Sequence, residues 1–268
     1  MKKNIKSVIC GFAALATLST SGFGAMVAQW TFEGGSLADS TGNWNNLTLG
    51  SGATLSDGRL VLNGVDVDGV AEAKGWIGGT SGFETKTLVS WVSLTSLGTG
   101  QSGGGALSLM ENQSSGNYGG DFDAIAYGEV VTDQWMNGSD YLNRTEGSPA
   151  TGNGGTLETT TGSLIQMAIV YDSGTITIYR DGDLYASNSA TLATFDLGAD
   201  SAVAFGARNI SVVNGASGSL HSEIEEARIY DTALTQSEIQ SLVVAVPEPS
   251  SAALLGLGGL ALLLRRRK

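Results

Sequence analysis

The stretch that decides the fold is residues 166–186, which read QMAIVYDSGTITIYRDGDLYA. Three short runs rich in β-branched and aromatic residues, Gln166 to Tyr171, Thr175 to Tyr179 and Leu184 to Ala186, are separated by Asp-Ser-Gly and Asp-Gly-Asp. Asp, Ser and Gly accept the positive φ angles that tight hairpin turns require. The stretch therefore predicts two consecutive β-hairpins.

The same alternation of β-rich runs with Gly, Ser, Asn and Asp clusters extends in both directions, and helical periodicity is scarce before the end. Further candidate strands are Gln29–Phe32, Leu60–Asn63, Thr87–Leu94, Ala106–Met110, Phe122–Tyr127, Ala202–Ala207 and Glu223–Tyr230. Many short antiparallel strands are typical of two packed sheets. The pattern predicts an all-β protein, a two-sheet antiparallel jelly-roll sandwich.

One short helix is expected after the last strand. Thr235 and Glu238 have the spacing of a capping box, which satisfies free N–H groups at a helix start. Apolar residues then recur on one helical face: Leu234, Ile239, Leu242 and Val243. The spacing predicts a C-terminal helix over residues 236–243 that packs against the sandwich.

Four blocks of the chain resemble the laminin-G-like, concanavalin A-like jelly roll. They are WTFEGGSLADSTGNWNNLTL (30–49), TLVSWVSL (87–94), MAIVYDSGTITIYRDGDLYAS (167–187) and IEEARIYDTALTQSEIQSL (224–242). In that family the final strand leads into a short closing helix, and here Ile224 to Tyr230 stand in the strand's place. Glu225 replaces the usual Asp, and residues 95–165 match least. The resemblance implies a lectin-like or glucanase-like sandwich over most of residues 30–243.

The first 24 residues have the features of a signal peptide. Three lysines precede an apolar run from Val8 to Leu18, and Gly22-Phe23-Gly24 places small residues where a signal peptidase reads. Cleavage would leave a mature chain without thiols, because Cys10 is the single cysteine. We therefore expect an N-terminal signal helix, export and a domain without disulfides.

The chain ends VPEPSSAALLGLGGLALLLRRRK, residues 246–268. The uncharged part from Ser250 to Leu264 would reach roughly 22 Å as a helix, against a hydrocarbon layer of roughly 30 Å, so it would span only marginally. Its cationic end would stay on the cytoplasmic side. A buried core helix fits poorly, since it would carry four cations out of the core. We expect a C-terminal transmembrane helix.

This tail resembles the PEP-CTERM sorting signal of Gram-negative, exopolysaccharide-producing bacteria. The features that carry the resemblance are Pro247, Glu248, Pro249, the apolar helix, and the cluster Arg265, Arg266, Arg267. The resemblance implies an exosortase that cuts near Pro-Glu-Pro, and therefore a transient inner-membrane anchor followed by a cell-surface or matrix location. A permanent C-terminal anchor is the alternative.

The predicted organisation is a signal peptide (1–24), one jelly-roll domain (25–245) and a sorting segment (246–268). Removing both ends takes Lys plus Arg from 14 to 7 and Asp plus Glu from 26 to 25, which moves the net charge from −12 to −18. Such a chain would be repelled by nucleic-acid phosphates, so no nucleic acid is expected as a partner.

Catalytic groups are scarce. The chain has one histidine, and its mature part has no cysteine, so nucleophilic triads and His-based zinc sites have no support. A glycosidase needs two carboxylates facing one cleft. Glu223, Glu225 and Glu226 come closest, but strand alternation places Glu226 opposite the other two. We expect no enzyme activity and structural glutamates.

Calcium is a possible cofactor on the sequence. Asp66 with Asp68, and Asp121 with Asp123, each place two carboxylates on one side of an extended segment beside glycines. Carboxylate and carbonyl oxygens suit calcium. Asp residues beside Gly are also ordinary turn formers, so turns are the alternative.

Aromatic residues in Gly- and Asn-rich settings could offer a platform for stacking sugars: Trp44, Trp76, Trp135 and Tyr141. Loops of a jelly roll commonly carry ligand sites. Local packing is the alternative for each of them. Trp30 and Trp91 lie in strand patterns and are expected in the core.

Two classes of function are compatible with these features. The first is an exported cell-surface or extracellular-matrix protein whose lectin-like jelly roll binds glycan or protein in an exopolysaccharide or biofilm context. The second is a concanavalin-like polysaccharide hydrolase or lyase. The binding protein is favoured because it needs only the fold, its loops and the sorting signal. No recognisable motif in the sequence identifies the ligand, and the fold alone does not supply it.

Overall fold

The computed structural model describes residues 24–64, 69–79, 82–98, 101–111, 121–139, 155–211 and 215–243. These residues form two large antiparallel sheets that pack face to face, as the sequence predicts. The expected signal helix and C-terminal transmembrane helix lie outside the described residues. Within the described ranges, no helix has both the length and the apolar character needed to cross a membrane.

The larger sheet has eight strands, with the order β12-β11-β10-β6-β16-β4-β3 and β1 added beside β16. Its strands are β1 (Met26–Trp30), β3 (Ala53–Ser56), β4 (Arg59–Asn63), β6 (Lys86–Leu94), β10 (Leu164–Asp172), β11 (Thr175–Arg180), β12 (Asp183–Ser189) and β16 (His221–Tyr230). β12 is therefore an edge strand of this sheet.

The second sheet has six strands, with the order β2-β5-β13-β7-β8-β9. Its strands are β2 (Thr48–Leu49), β5 (Ala71–Lys74), β7 (Gly104–Met110), β8 (Phe122–Tyr127), β9 (Trp135–Ser139) and β13 (Ala202–Phe205). A separate hairpin joins β14 (Asn209–Ser211) to β15 (Gly215–Ser217). β9 is an edge strand of the second sheet.

The two predicted hairpins are confirmed. β10 pairs with β11, and β11 pairs with β12. Ser173 and Gly174 have φ values of 48° and 77° in the first turn, and Asp181 and Gly182 have 51° and 81° in the second. Two consecutive positive φ angles define the turn whose twist matches that of the flanking strands. Ser173-Gly174 and Asp181-Gly182 therefore act as turn formers here.

The main core lies between the two sheets. Inward-facing side chains from both sheets interdigitate there, with Trp30 and Phe32 packed edge-on against Phe205 at ring distances of 5.7 and 5.8 Å. Trp30 is fully buried. The expectation that Trp30 belongs to the core is confirmed.

The closing helix α1 (Gln236–Val243) has the bounds that the sequence predicts. Thr235 N donates to Glu238 Oε2 at 2.7 Å, and Glu238 N donates to Thr235 Oγ1 at 3.4 Å, which completes the capping box. Ile239 and Leu242 are buried in a second cluster on the outer face of the eight-stranded sheet. The helix therefore covers that face, where Trp91 also lies.

Candidate functional site

A cavity of about 280 Å³ opens at the side of the sandwich where the β11–β12 hairpin meets residues 155–158. We call it the rim cavity. It is lined by Gly155, Thr156, Arg180, Asp183, Leu184 and Tyr185. Edge strands and loops meet there, which is a common position for ligand sites on rigid β scaffolds.

Tyr185 enters the rim cavity because of a β-bulge. Ile178 pairs with Ala186 and Tyr179 pairs with Leu184, so Tyr185 is the extra residue of β12. A bulge interrupts the alternation of side chains and re-aims one of them. Tyr185 thereby packs against the main core while its hydroxyl reaches the cavity wall.

The hydroxyl of Tyr185 is held by two backbone groups. It donates to the carbonyl of Thr156 at 2.5 Å and accepts from the N–H of Trp135 at 3.2 Å. Burial raises the pKa of Tyr185 to about 12. The ring is therefore a neutral and oriented part of the cavity wall.

Arg180 is clamped from two sides. Its Nε and Nη2 donate to the two oxygens of Glu158 at 2.7 and 3.1 Å, and its Nη1 donates to Asp181 Oδ2 at 2.6 Å. The hydrogen bonds that Arg180 donates to the carboxylate of Glu158 raise the pKa of Arg180. A guanidinium held in this forked geometry keeps its remaining N–H groups in defined directions.

A layer of buried and half-buried residues supports these groups from behind. Glu158 also accepts from Trp135 Nε1 at 3.1 Å, and its backbone N–H donates to the carbonyl of Asp133 at 2.8 Å. Asp133 Oδ1 in turn accepts from the hydroxyl of Tyr127 at 3.1 Å. Burial, together with the carboxylate of Asp133, raises the pKa of Tyr127 well above its usual value. The wall is thus a connected hydrogen-bond network.

Apolar surface flanks the cavity. Leu184 lines it and is 61% exposed, and Leu157, two residues from Gly155, is 47% exposed. Large apolar side chains at such exposure are uncommon in the described residues, where Ile77 and Val130 are the others. The rim cavity therefore combines hydrogen-bonding groups with exposed apolar side chains.

The structure corrects the predicted aromatic platform. Trp44, Trp76 and Trp135 are only 3%, 8% and 0% exposed and belong to the main core. Trp44 and Trp76 form an isolated antiparallel bridge with their rings 5.2 Å apart, and Trp135 begins strand β9. Non-local pairing buries these side chains although their sequence neighbours are typical of loops. Tyr141 lies outside the described residues.

The predicted calcium ligands are only partly described, since Asp66 and Asp68 lie outside the described residues. Asp123 is buried, and its Oδ2 lies 2.8 Å from the Nζ of Lys86, so this carboxylate is already neutralised. Asp121 sits just before β8 and accepts a hydrogen bond from Glu111 N through its carbonyl. No cluster of three or more acidic, His or Cys side chains in the described ranges is arranged to hold a metal ion. Calcium binding stays a prediction.

The glutamates of β16 deviate from simple alternation. The register shifts between Ile224 and Glu226, so Glu225 is a bulged residue. Ile224 and Ala227 both face the main core, which leaves Glu225 and Glu226 together on the outer face. The prediction that Glu226 opposes its neighbours is therefore wrong, because a bulge offsets the alternation.

Each of these carboxylates has an arginine partner. Arg59 contacts Glu223 at 3.1 Å and Glu225 at 2.9 Å, while Arg228 contacts Glu226 at 2.5 Å. Gln29 Nε2 also donates to Glu226 at 2.6 Å. The cluster is thus arranged as ion pairs on the outer face, with Arg59 reaching from β4 to β16 and Arg228 pairing with Glu226 within β16.

Sequence reasoning missed the residues of the rim cavity, because Arg180, Asp183 and Tyr185 lie in a hairpin that it treated only as a fold signal. One signal was present. In Asp183-Leu184-Tyr185-Ala186 the alternation of polar and apolar residues breaks, and such a break marks a bulge.

Comparisons with known proteins agree with this architecture. A family model described as the concanavalin A-like lectin/glucanases superfamily matches residues 80–240, and a PEP-CTERM protein-sorting motif matches residues 245–268. The search of curated proteins found no match. The sorting motif confirms the resemblance of the tail and implies an exported protein with a membrane anchor.

Solved structures share the fold at low sequence identity. Domain 4 of AbnA, a GH43 extracellular arabinanase from Geobacillus stearothermophilus in complex with arabinotriose, has 20% identity and a TM-score of 0.59, with 82% of this chain and 98% of that chain covered. The botulinum neurotoxin serotype G binding domain has 16% identity and a TM-score of 0.55, and the match covers 82% of this chain and 50% of that one. Trypanosoma rangeli sialidase has 16% identity and a TM-score of 0.54, and the match covers 82% of this chain and 32% of that one.

The chain spans nearly all of the arabinanase domain but half or less of the other two proteins. At these sequence identities the matches establish the fold of this chain, and the activities named for those proteins are properties of those proteins. Together with the family match over residues 80–240 and the two-sheet architecture, they lead to one assignment. The chain belongs to the concanavalin A-like lectin/glucanases superfamily.

Proposed function

We propose that this protein is an exported cell-surface or extracellular-matrix protein whose jelly roll binds glycan at the rim cavity, without catalysis, in an exopolysaccharide or biofilm context. The observation that carries the proposal is the rim cavity itself. Arg180, Asp183 and Tyr185 offer polar groups beside exposed Leu184, on a wall held by Glu158 and Trp135. A recognition surface needs this combination of oriented polar groups and apolar contact.

The proposed address follows from the sorting motif at residues 245–268. Signal peptidase and an exosortase would be the processing partners, and the inner membrane of a Gram-negative cell would hold the chain transiently. The domain's charge of −18 after removal of both ends favours a ligand other than nucleic acid. A protein ligand at the cell surface remains the alternative occupant, and it is an outcome of the test below.

Two further observations support a binding role. Domain 4 of the arabinanase, which shares the fold, was solved with arabinotriose, so this type of sandwich can hold an oligosaccharide. On β16, the three glutamates that come closest to a catalytic set are each paired with Arg59 or Arg228. A general acid and base need carboxylates that face a substrate cleft with separate pKa values.

The test uses the full chain purified in a detergent without a sugar headgroup. Binding to a glycan array, followed by calorimetric titration of the glycans that bind, should give measurable affinity. Leu184→Ala should weaken that affinity about tenfold, since about 1.4 kcal/mol of apolar contact is lost. Ile77→Ala is the matched control, because Ile77 is 63% exposed but does not line the cavity.

Absence of glycan binding, or equal losses in the two variants, would overturn the rim cavity as the site. Binding of a surface protein that Leu184→Ala abolishes would replace glycan by the alternative ligand. Depolymerisation of a bound polysaccharide that Glu223→Gln or Glu225→Gln abolishes, with the fold intact, would overturn the absence of catalysis.

A further inference from the structure

The rim cavity places a hydrogen-bond donor and an acceptor side by side. Arg180 and Asp183 are directly paired across the β11–β12 hairpin, and both line the cavity. Arg180 uses three of its five N–H groups on Glu158 and Asp181. Its other two N–H groups remain for a ligand.

Asp183 supplies the acceptor. It is exposed, and none of the described residues donates a hydrogen bond to its carboxylate or forms an ion pair with it. An ionised carboxylate accepts hydrogen bonds and donates none. A ligand that engages both side chains must therefore donate to Asp183 and accept from Arg180.

The local charge disfavours an anionic ligand. Three carboxylates, those of Glu158, Asp181 and Asp183, stand against the single guanidinium of Arg180. Like charges at close range cost interaction energy, and the negative charge of the whole domain adds to the effect. A uronic acid, a sulfated sugar or a sialic acid would be repelled from this site.

A cationic ligand meets the opposite difficulty. The ammonium of an amino sugar could pair with Asp183, but it accepts no hydrogen bond, so the two free N–H groups of Arg180 would lose water without gaining a partner. The three carboxylates would attract the ammonium, so the unmatched N–H groups of Arg180 are what count against a cationic ligand. A hydroxyl both donates and accepts, so it matches both side chains.

Resting on the proposed glycan site, we propose that the rim cavity is selective for neutral saccharides, with two adjacent hydroxyls of one sugar ring bridging Asp183 and Arg180. The ring then lies beside Leu184, whose exposed side chain supplies apolar contact for the C–H groups of the sugar. The wall does not need to move, because Glu158 and Asp181 already orient Arg180.

The experiment presents several backbones, among them β-1,4-glucan, β-1,3-glucan and α-1,5-arabinan, each as neutral, carboxylated, sulfated and amino-substituted oligosaccharides on one array. The full chain should bind the neutral forms and show at least tenfold lower affinity for the carboxylated and sulfated forms of the same backbone, and it should show no preference for the amino-substituted forms. Affinity for the neutral forms should not change between low and high salt, since no ion pair forms.

The variant Asp183→Asn tests the bridge. It should lower the affinity for neutral glycans about tenfold, as expected for loss of a charge-assisted hydrogen bond. It should also reduce the difference in affinity between the neutral and the carboxylated forms, because one negative charge is removed from the site. Asp172→Asn is the matched control, because Asp172 is an exposed residue of the neighbouring hairpin. This substitution changes the net charge by the same amount as Asp183→Asn.

The outcomes separate the two proposals. Preference for carboxylated, sulfated or amino forms, or equal effects of Asp183→Asn and Asp172→Asn, would overturn the neutral-diol inference while glycan binding stands. No binding to any form on the array would overturn both.

Discussion

The Nζ of Lys86 lies 2.8 Å from Oδ2 of Asp123, and this ion pair joins β6 of one sheet to β8 of the other. Lys86 is fully buried, with its Nζ 4.0 Å from the ring centre of Phe195 and 5.0 Å from that of Tyr171. A charge in the interior is tolerated only with a partner of opposite sign. The two sheets are therefore held in register by a charge requirement as well as by apolar packing.

Breaking this pair should be costly. Asp123→Asn should lower the free energy of unfolding by about 3–5 kcal/mol, because Lys86 would remain buried without its counterion. Lys86→Met combined with Asp123→Leu should recover most of the loss. Urea unfolding followed by tryptophan fluorescence measures both, with Glu223→Gln as the control at a partly exposed pair worth about 0–1 kcal/mol. Equal losses for Asp123→Asn and Glu223→Gln would contradict the prediction.

Tyr185 should make the domain less stable at alkaline pH. Burial raises its pKa to about 12, whereas an unfolded tyrosine ionises at about 10. Between these values the native state holds a proton that the unfolded state loses, so the free energy of unfolding falls as pH rises. Relative to Tyr185→Phe, we expect an extra loss of about 2–3 kcal/mol by about pH 12. If the free energy of unfolding fell equally with rising pH in the native protein and in Tyr185→Phe, Tyr185 would have its usual pKa and the prediction would be wrong.

Trp135 should act as a core residue. Trp135→Ala should reduce the free energy of unfolding by about 3–5 kcal/mol, because a fully buried indole packed 4.7 Å from the ring of Tyr127 is removed. Leu184→Ala, at an exposed position, is the control and should cost less than about 1 kcal/mol. A folded Trp135→Ala protein with near-normal stability but no glycan binding would restore the platform that the sequence predicts.

The capping box of α1 should contribute measurably to stability. Thr235→Ala removes the acceptor for Glu238 N and should cost about 1 kcal/mol in thermal or urea unfolding. Ser241→Ala in the same helix is the control, since Ser241 is exposed and its hydroxyl only bonds back to the carbonyl of Glu238. A larger loss for Ser241→Ala than for Thr235→Ala would argue against the cap.

The tail should determine where the protein ends up. Deletion of residues 246–268 should release the domain into the medium, because the sorting motif at 245–268 is removed. Intact-mass measurement of the surface-associated full chain should show cleavage near Pro247-Glu248-Pro249. A C-terminus that still carries the terminal arginines and lysine would instead identify a permanent anchor.

Local chemistry explains what could be predicted. The turns at Ser173-Gly174 and Asp181-Gly182, the capping box at Thr235 and Glu238, and the sorting tail each depend on residues close together in sequence. Turn and cap preferences arise from one or two backbone angles and one hydrogen bond. Such features are readable without knowledge of distant contacts.

The sequence by itself therefore determined the sandwich class, its hairpins, its closing helix and its sorting motif, while the tertiary structure alone decided which side chains face solvent. The burial of Trp44 and Trp76, the Lys86–Asp123 pair and the outward Glu226 depend on pairings between distant segments and on a bulge. The rim cavity forms only when Glu158 meets Arg180 and a second bulge turns Tyr185 inward. Exposure depends on what packs against a residue from elsewhere in the chain, and local preferences do not encode those neighbours.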